Sequence, residues 1–191
     1  ETPIDPTPCR RIEFGLPEKG VVFCSFNTDY KIEPEAFACW MRILRAVSGS
    51  VLWLLVRSQQ ARENLIRNAE RLGIDSKRLV FASPVPKAKH LARLKLADIA
   101  LDTFTVNGHT TTTDALLAGV PVITCLGRHF ASRVAASILS AMRIAVLVAP
   151  DLDSYAKMAI TLASDEGLLD GTRARLAKNK TSAPLFDIDR Y

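Results

Sequence analysis

Four consecutive threonines, Thr110 to Thr113, follow Asn107-Gly108-His109 and precede Asp114, directly after the apolar run Ile99-Ala100-Leu101-Asp102. A strand, a short loop and a helix that opens on hydroxyls and unpaired backbone N–H groups form an arrangement that binds phosphate without a metal ion. The same threonines could instead cap the helix, since Ser and Thr are favoured at helix starts. On this segment alone both readings stand.

A second signal comes from cationic and imidazole side chains. His90, His109 and His129, with Lys31, Lys87 and Lys89, fall in segments 27–31, 83–90, 103–113 and 126–130, each of which follows an apolar run. The three histidines lie about twenty residues apart on separate segments, which is not zinc-ligand spacing, so no metal site is expected. No Gly-x-Gly-x-x-Gly follows a strand and no Gly-x-x-x-x-Gly-Lys-Ser/Thr loop occurs, which disfavours dinucleotide dehydrogenases and P-loop NTPases. Asp187-Ile188-Asp189 matches an Asp-x-Asp metal-diphosphate pattern but sits in a terminal tail and is taken as chance.

The elements that must hold these residues alternate regularly. Apolar runs at 21–26, 51–56, 79–82, 99–102, 120–124 and 144–148 read as buried strands. Between them lie helical segments. After Pro34, suited to a first helical turn, Phe37, Trp40, Met41 and Leu44 mark one helix face. A helix over 61–72 should stop at Gly73, and one over 110–118 at Gly119. Further helices are expected near 87–96, 130–142, 152–163 and 167–178. Continuous apolar strands separated by helices imply an α/β domain, a doubly wound parallel sheet of about six strands, Rossmann-like in size. In such sheets ligands sit beyond the carboxyl ends of the strands, where the four loops would converge.

The chain has 191 residues, 48% of them hydrophobic, enough for one well-packed core. Residues 1–12, with Pro3, Pro6 and Pro8, read as an extended linker with more chain expected before it, 13–180 as a Rossmann-like domain for a nucleotide-type ligand, and 181–191 as a tail. No apolar run approaches the roughly 20 residues of a membrane span, and no signal pattern opens the chain. Scattered Cys9, Cys24, Cys39 and Cys125 fit reduced thiols of a cytoplasmic protein. A net charge of +5 suits an anionic ligand. The basic residues form no single block and no recognition motif accompanies them, so nucleic acid is not the expected partner.

Several of these segments occur together in one family. Phe26-Asn27 followed by Tyr30-Lys31-Ile32, Pro86-Lys87 with His90 and Arg93, Leu96-Ala97-Asp98, Leu101-Asp102-Thr103, Asn107-Gly108-His109-Thr110-Thr111 and Ala131-Ser132-Arg133-Val134-Ala135-Ala136-Ser137 keep the order of the protein O-GlcNAc transferase family, which the chain resembles over about 14–186. The resemblance is to the carboxyl-terminal half of the family's catalytic region. In that family, tetratricopeptide (TPR) repeats and an amino-terminal catalytic half come first, and the two halves make a GT-B glycosyltransferase with the active site between them.

The resemblance implies inverting, metal-independent transfer of N-acetylglucosamine from UDP-GlcNAc to Ser or Thr hydroxyls of a protein or peptide, with no cofactor. It implies that Lys31 contacts the diphosphate and stabilises departing UDP. Val85 would meet the uracil edge through its backbone and Arg93 through its side chain; Lys87 would lie near the ribose and His90 would stack on the base. His109, Thr110 and Thr111 would bind the diphosphate, and Asp114 a ribose hydroxyl. The chain departs from the family at Thr28, where a glutamine is usual, and Asp29 follows it. Plant-type protein O-fucosyltransferases share Leu-Asp-Thr-Phe and the Thr-rich helix start but lack a histidine before the threonines, so His109 favours UDP over GDP-fucose. Half an active site should bind UDP and transfer nothing alone. The competing expectation is a non-catalytic nucleotide-sugar-binding or interaction module.

Overall fold

The computed structural model describes residues 4–186. Six strands form the sheet: Val22–Ser25 (β1), Val51–Leu54 (β2), Leu79–Phe81 (β3), Ile99–Leu101 (β4), Val122–Cys125 (β5) and Val148–Ala149 (β6). Every pairing is parallel and the spatial order is β3-β2-β1-β4-β5-β6. Parallel strands covered on both faces must be apolar throughout. β1, β2, β4 and β5 are accordingly buried at every residue.

The connecting helices are Pro34–Ala46 (α1), Gln59–Arg71 (α2), Lys87–Leu94 (α3), Thr110–Leu117 (α4) and Val134–Ala141 (α5), and the chain closes on Leu152–Ser164 (α6) and Glu166–Lys180 (α7). Pro34 opens α1, whose Phe37, Trp40, Met41 and Leu44 are buried, as their spacing implies. α1 packs on α6, while α3, α4 and α5 pack in sequence. Right-handed crossovers put these two groups on opposite faces of the sheet. The order of connection reverses between β1 and β4, which opens a crevice at their carboxyl ends. Among the described residues no helix is long and apolar enough to cross a membrane. The four cysteines form no disulfide, and Cys24, Cys39 and Cys125 are buried.

Three local expectations give way to packing. The helix expected over 130–142 is a 3-10 turn, Phe130–Ser132, followed by α5. Gly127 packs so closely on Ser132 that a Cβ there would lie 2.0 Å from its Oγ, and this contact folds the segment back before the helix begins. The last strand, expected over 144–148, shrinks to two residues because Ala145–Leu147 forms a 3-10 turn after Arg143 takes φ 55°. The expected linker does not stand clear of the core: Ile4 packs against it, and Arg11 opens a 3-10 turn, Arg11–Phe14.

Arg11 fastens this segment to the amino-terminal edge of the sheet. Its guanidinium donates to Leu96 O (3.2 Å), Gly20 O (2.9 Å) and Asp98 Oδ2 (2.7 Å). Asp98 also accepts from Val22 N and from Arg173 of α7, both at 2.7 Å. At the other end, the tail up to Phe186 is described; Ala183 is buried, and Leu185 and Phe186 pack on the core. Asp187-Ile188-Asp189 lies outside the described residues.

Candidate functional site

Polar side chains occupy the carboxyl rim because each strand there hands over to a residue that is buried yet hydrogen-bonded. Asn27 follows β1 and Asp102 follows β4, and they are 4% and 2% exposed. Asn27 Nδ2 donates to Asp102 Oδ1 (3.0 Å) and Thr103 Oγ1 (2.9 Å), stitching the two loops across the crevice. The loop from Thr103 to His109 is tied further: Asn107 Nδ2 donates to Thr103 O (2.7 Å), Asn107 N to Ala131 O (2.8 Å), and the backbone N–H groups of Phe104 and Thr105 to Glu33 Oε1 (3.0 and 2.9 Å). A loop with this many internal partners arrives at α4 in one conformation.

The helix start decides between the two readings of the threonines. No side chain caps α4. Thr111 Oγ1 donates to Asn27 Oδ1 (2.5 Å), Thr112 Oγ1 to Gly108 O (2.8 Å) and Thr113 Oγ1 to His109 O (3.3 Å). All three hydroxyls are therefore spent on acceptors of their own rather than on the first-turn N–H groups, and the N–H groups of Thr110, Thr111 and Thr112 keep no side-chain acceptor. Such N–H groups, with the positive end of the helix dipole behind them, attract an anion. Exposed His109 and Thr110 stand at this opening. Lys31, carried by the 3-10 turn Asp29–Lys31, donates from Nζ to Asn107 O (2.9 Å), so its ammonium lies against the same loop with two further donors to offer.

The second wall is built by α3. Arg93, 2% exposed, sends Nη1 to Ser83 O (2.7 Å) and Nε to His90 Nδ1 (3.3 Å). Its guanidinium carbon lies 5.4 Å from the Phe26 ring centroid and 5.7 Å from that of Trp53. Burial, and next the neighbouring Arg93 charge, push the His90 pKa down to about 4. His90 is thus neutral at pH 7. With Nδ1 accepting from the guanidinium, the hydrogen-bond network assigns the proton to Nε2. The ring meets Phe26 edge to face at 4.9 Å. Lys87 at the start of α3 forms an ion pair with Asp114 of α4, joining this wall to the threonine helix.

One chain of contacts therefore runs from Lys31 through the 103–109 loop to Asn27 and Thr111, and from Phe26, beside Asn27, to His90 and Arg93. Four of the singled-out residues lie outside this chain of contacts or reach it only indirectly. Arg93 is spent inside the protein, on Ser83 and His90, so it acts on the rim through His90. Val85 lines a cavity of about 260 Å³ with Thr7, Pro8 and Lys89, on the side of the amino-terminal segment. His129 takes part in its own turn, where its carbonyl accepts from Ser132 N (3.0 Å) and Oγ (2.9 Å). Asp29 lines a separate cleft of about 540 Å³ between α1 and α2, with Phe37, Asn64 and Arg71. Among the described residues no cluster of three His, Cys, Asp or Glu side chains could hold a metal ion.

Asp102 and Gly108 are the site residues that reading by chemical type passed over. Their signal was positional: a carboxylate ending an apolar strand, and a glycine six residues on. Gly108 has no room for a side chain, since a Cβ would meet Thr111 Oγ1 and Thr112 Oγ1 at 2.6 Å and Asn27 Oδ1 at 3.0 Å.

The profile of glycosyl transferase family 41 matches residues 1–191. The chain is 39% identical over 181 residues to a Caenorhabditis elegans UDP-N-acetylglucosamine–peptide N-acetylglucosaminyltransferase, covering 95% of this chain and 16% of the relative. It is 38% identical to a probable Arabidopsis thaliana enzyme of the same description, SEC, covering 95% and 19%. The chain thus spans less than a fifth of the length of these two relatives. Among solved structures, a Thermobaculum terrenum O-GlcNAc transferase mutant superposes with TM-score 0.84 at 33% identity, over 88% of this chain and 33% of that one. The carboxyl-terminal CMP-Kdo binding domain of Acinetobacter baumannii WaaA shares the fold at TM-score 0.61 and 12% identity, over 88% of this chain and 93% of that domain.

Proposed function

The chain belongs to glycosyl transferase family 41, and from that premise we propose that it is the UDP-GlcNAc-binding half of an inverting, metal-independent protein O-GlcNAc transferase acting on Ser and Thr hydroxyls. The observation that carries this reading is the uncapped start of α4, with Lys31 against the loop that leads into it, at the point where strand order reverses. Anionic ligands of doubly wound sheets bind at such a point.

The diphosphate would lie on the N–H groups of Thr110, Thr111 and Thr112, with His109 and the Lys31 ammonium beside it. Negative charge grows on UDP as the sugar departs. Fixed N–H dipoles and an ammonium already in place stabilise it without rearrangement, the task a divalent cation performs elsewhere. The neutral His90 ring offers a flat face for the uracil, and Asp114 and Lys87, now paired, stand where ribose hydroxyls could exchange with that pair. The acceptor hydroxyl and any base that deprotonates it would belong to the amino-terminal half and its TPR repeats, so this chain alone binds donor and transfers nothing. Three buried free thiols suit a cytoplasmic setting.

Calorimetric titration with UDP, UDP-GlcNAc and GDP-fucose tests the reading. UDP and UDP-GlcNAc should bind and GDP-fucose more weakly. Lys31→Ala and His109→Ala should each lower UDP affinity by about tenfold, the loss of one charge-assisted hydrogen bond. UDP binding that ignores both substitutions would place the pocket elsewhere, and an absence of any nucleotide binding would leave an interaction module.

A further inference from the structure

We propose that Asp102 is a positioning residue for the diphosphate: its buried carboxylate sets the direction of the Gly108 N–H and of the Asn27 amide, and through them the first turn of α4. The role rests on the nucleotide reading above. Asp102 is 2% exposed, and no lysine or arginine among the described residues pairs with it. Its charge is met by four neutral donors instead. Oδ1 accepts from Gly108 N (2.6 Å), Thr103 N (2.9 Å) and Asn27 Nδ2 (3.0 Å), and Oδ2 from Thr124 Oγ1 of β5 (2.7 Å). Its own carbonyl accepts from the Tyr155 hydroxyl of α6 at 3.0 Å, fixing the backbone from the opposite face.

A buried carboxylate with no cationic partner is a poor way to stabilise a fold, because an apolar side chain of similar size would avoid its desolvation. What it supplies here is direction. The bond to Gly108 closes the loop over six residues and sets the entry of the chain into His109 and α4. The bond from Asn27 leaves that amide with its oxygen facing Thr111, whose hydroxyl gives its hydrogen to it (2.5 Å). Thr111 is thereby left to present its backbone N–H outward. Two arms of one carboxylate thus orient both sides of the phosphate cradle, while its own charge is consumed by donors turned inward.

The test compares UDP with uridine on the wild-type chain, Asp102→Asn and Asn27→Ala, by calorimetry. The role predicts that Asp102→Asn lowers UDP affinity at least about tenfold and leaves uridine affinity within about twofold, because only the phosphate side is disturbed. Equal losses for both ligands would reveal a merely structural residue, and unchanged or tighter UDP binding would show that the carboxylate only repels the ligand; either result overturns the role. Should Asp102→Asn fail to fold, Asn27→Ala removes the arm to Thr111, together with the bond to Thr103 Oγ1, while leaving the Asp102–Gly108 bond in place, and must show the same split between ligands. A wild-type chain that binds no UDP sinks the nucleotide reading and this role together, whereas UDP binding that the substitutions leave intact sinks this role only.

Discussion

Gly108→Ala is expected to lower UDP affinity about 100-fold while leaving the sheet folded. The added Cβ would lie 2.6 Å from two threonine hydroxyls and 3.0 Å from the Asn27 amide oxygen, all of which are held by hydrogen bonds of their own. None is the far end of a flexible side chain, so the loop must move instead. Moving it breaks the bond from Gly108 N to Asp102 and rotates the first N–H groups of α4 away from a common point. Two charge-assisted hydrogen bonds to a diphosphate, at about 1.5–3 kcal/mol each, account for a loss of this size. Calorimetry measures it and circular dichroism checks the fold. Affinity within threefold of wild type would mean that the cradle does not hold the phosphates.

The largest effect on stability is expected from Arg93→Ala, about 3 kcal/mol less stable in urea denaturation. The substitution leaves the Ser83 carbonyl and His90 Nδ1 without their donor and empties the space above Phe26 and Trp53. Burial lowers the Arg93 pKa, a desolvation cost whose removal keeps the loss from being larger. The same substitution alters the response to pH. In the wild type, His90 has a folded pKa near 4 against 6.5 unfolded, so the unfolded state binds more protons and stability rises as pH climbs from about 4 to 6.5.

Asp102 acts in the opposite sense. Burial raises its pKa from 3.8 to about 6 in spite of its four donors, so the folded state binds more protons there and stability falls as pH rises from about 4 to 6. The two slopes oppose one another in the intact protein. Without the Arg93 charge His90 titrates closer to its ordinary value, its rising contribution shrinks, and the decline due to Asp102 shows through. The difference in stability between wild type and Arg93→Ala should therefore widen from pH 4.5 to pH 6. A difference that narrows over this interval would contradict the proposed pairing of Arg93 with His90.

The strands and helices were legible because periodicity is local. Phe37, Trp40, Met41 and Leu44 needed only their spacing to declare a buried helix face, and β1, β2, β4 and β5 only their unbroken apolar runs. The amino-terminal segment was misleading for the opposite reason. Few apolar residues precede Phe14, and long-range contacts fasten the segment: Ile4 on the core, and the Arg11 guanidinium, whose partner Asp98 lies 87 residues away. The site divides in the same way. Lys31, His109 and the threonines announce themselves by type, yet whether the threonines cap the helix or leave it open depends on hydroxyl partners 4 to 84 residues distant. Arg93 carries a charge and sits among rim residues, which suggests a ligand contact; only packing on Phe26 and Trp53 reveals that it works from inside. Asp102, the last residue of an apolar run, gives no sign in sequence that four donors converge on it.

The central claim is that uridine diphosphate rests on the opening turn of α4, and amide-resolved NMR during a UDP titration addresses it most directly. The backbone amides of Thr110, Thr111 and Thr112 should shift saturably, with one common dissociation constant equal to that from calorimetry, while amides lining the α1–α2 cleft, such as those of Asn64 and Asn68, stay in place. Saturable shifts confined to that cleft, with the threonine amides unmoved, would contradict the account.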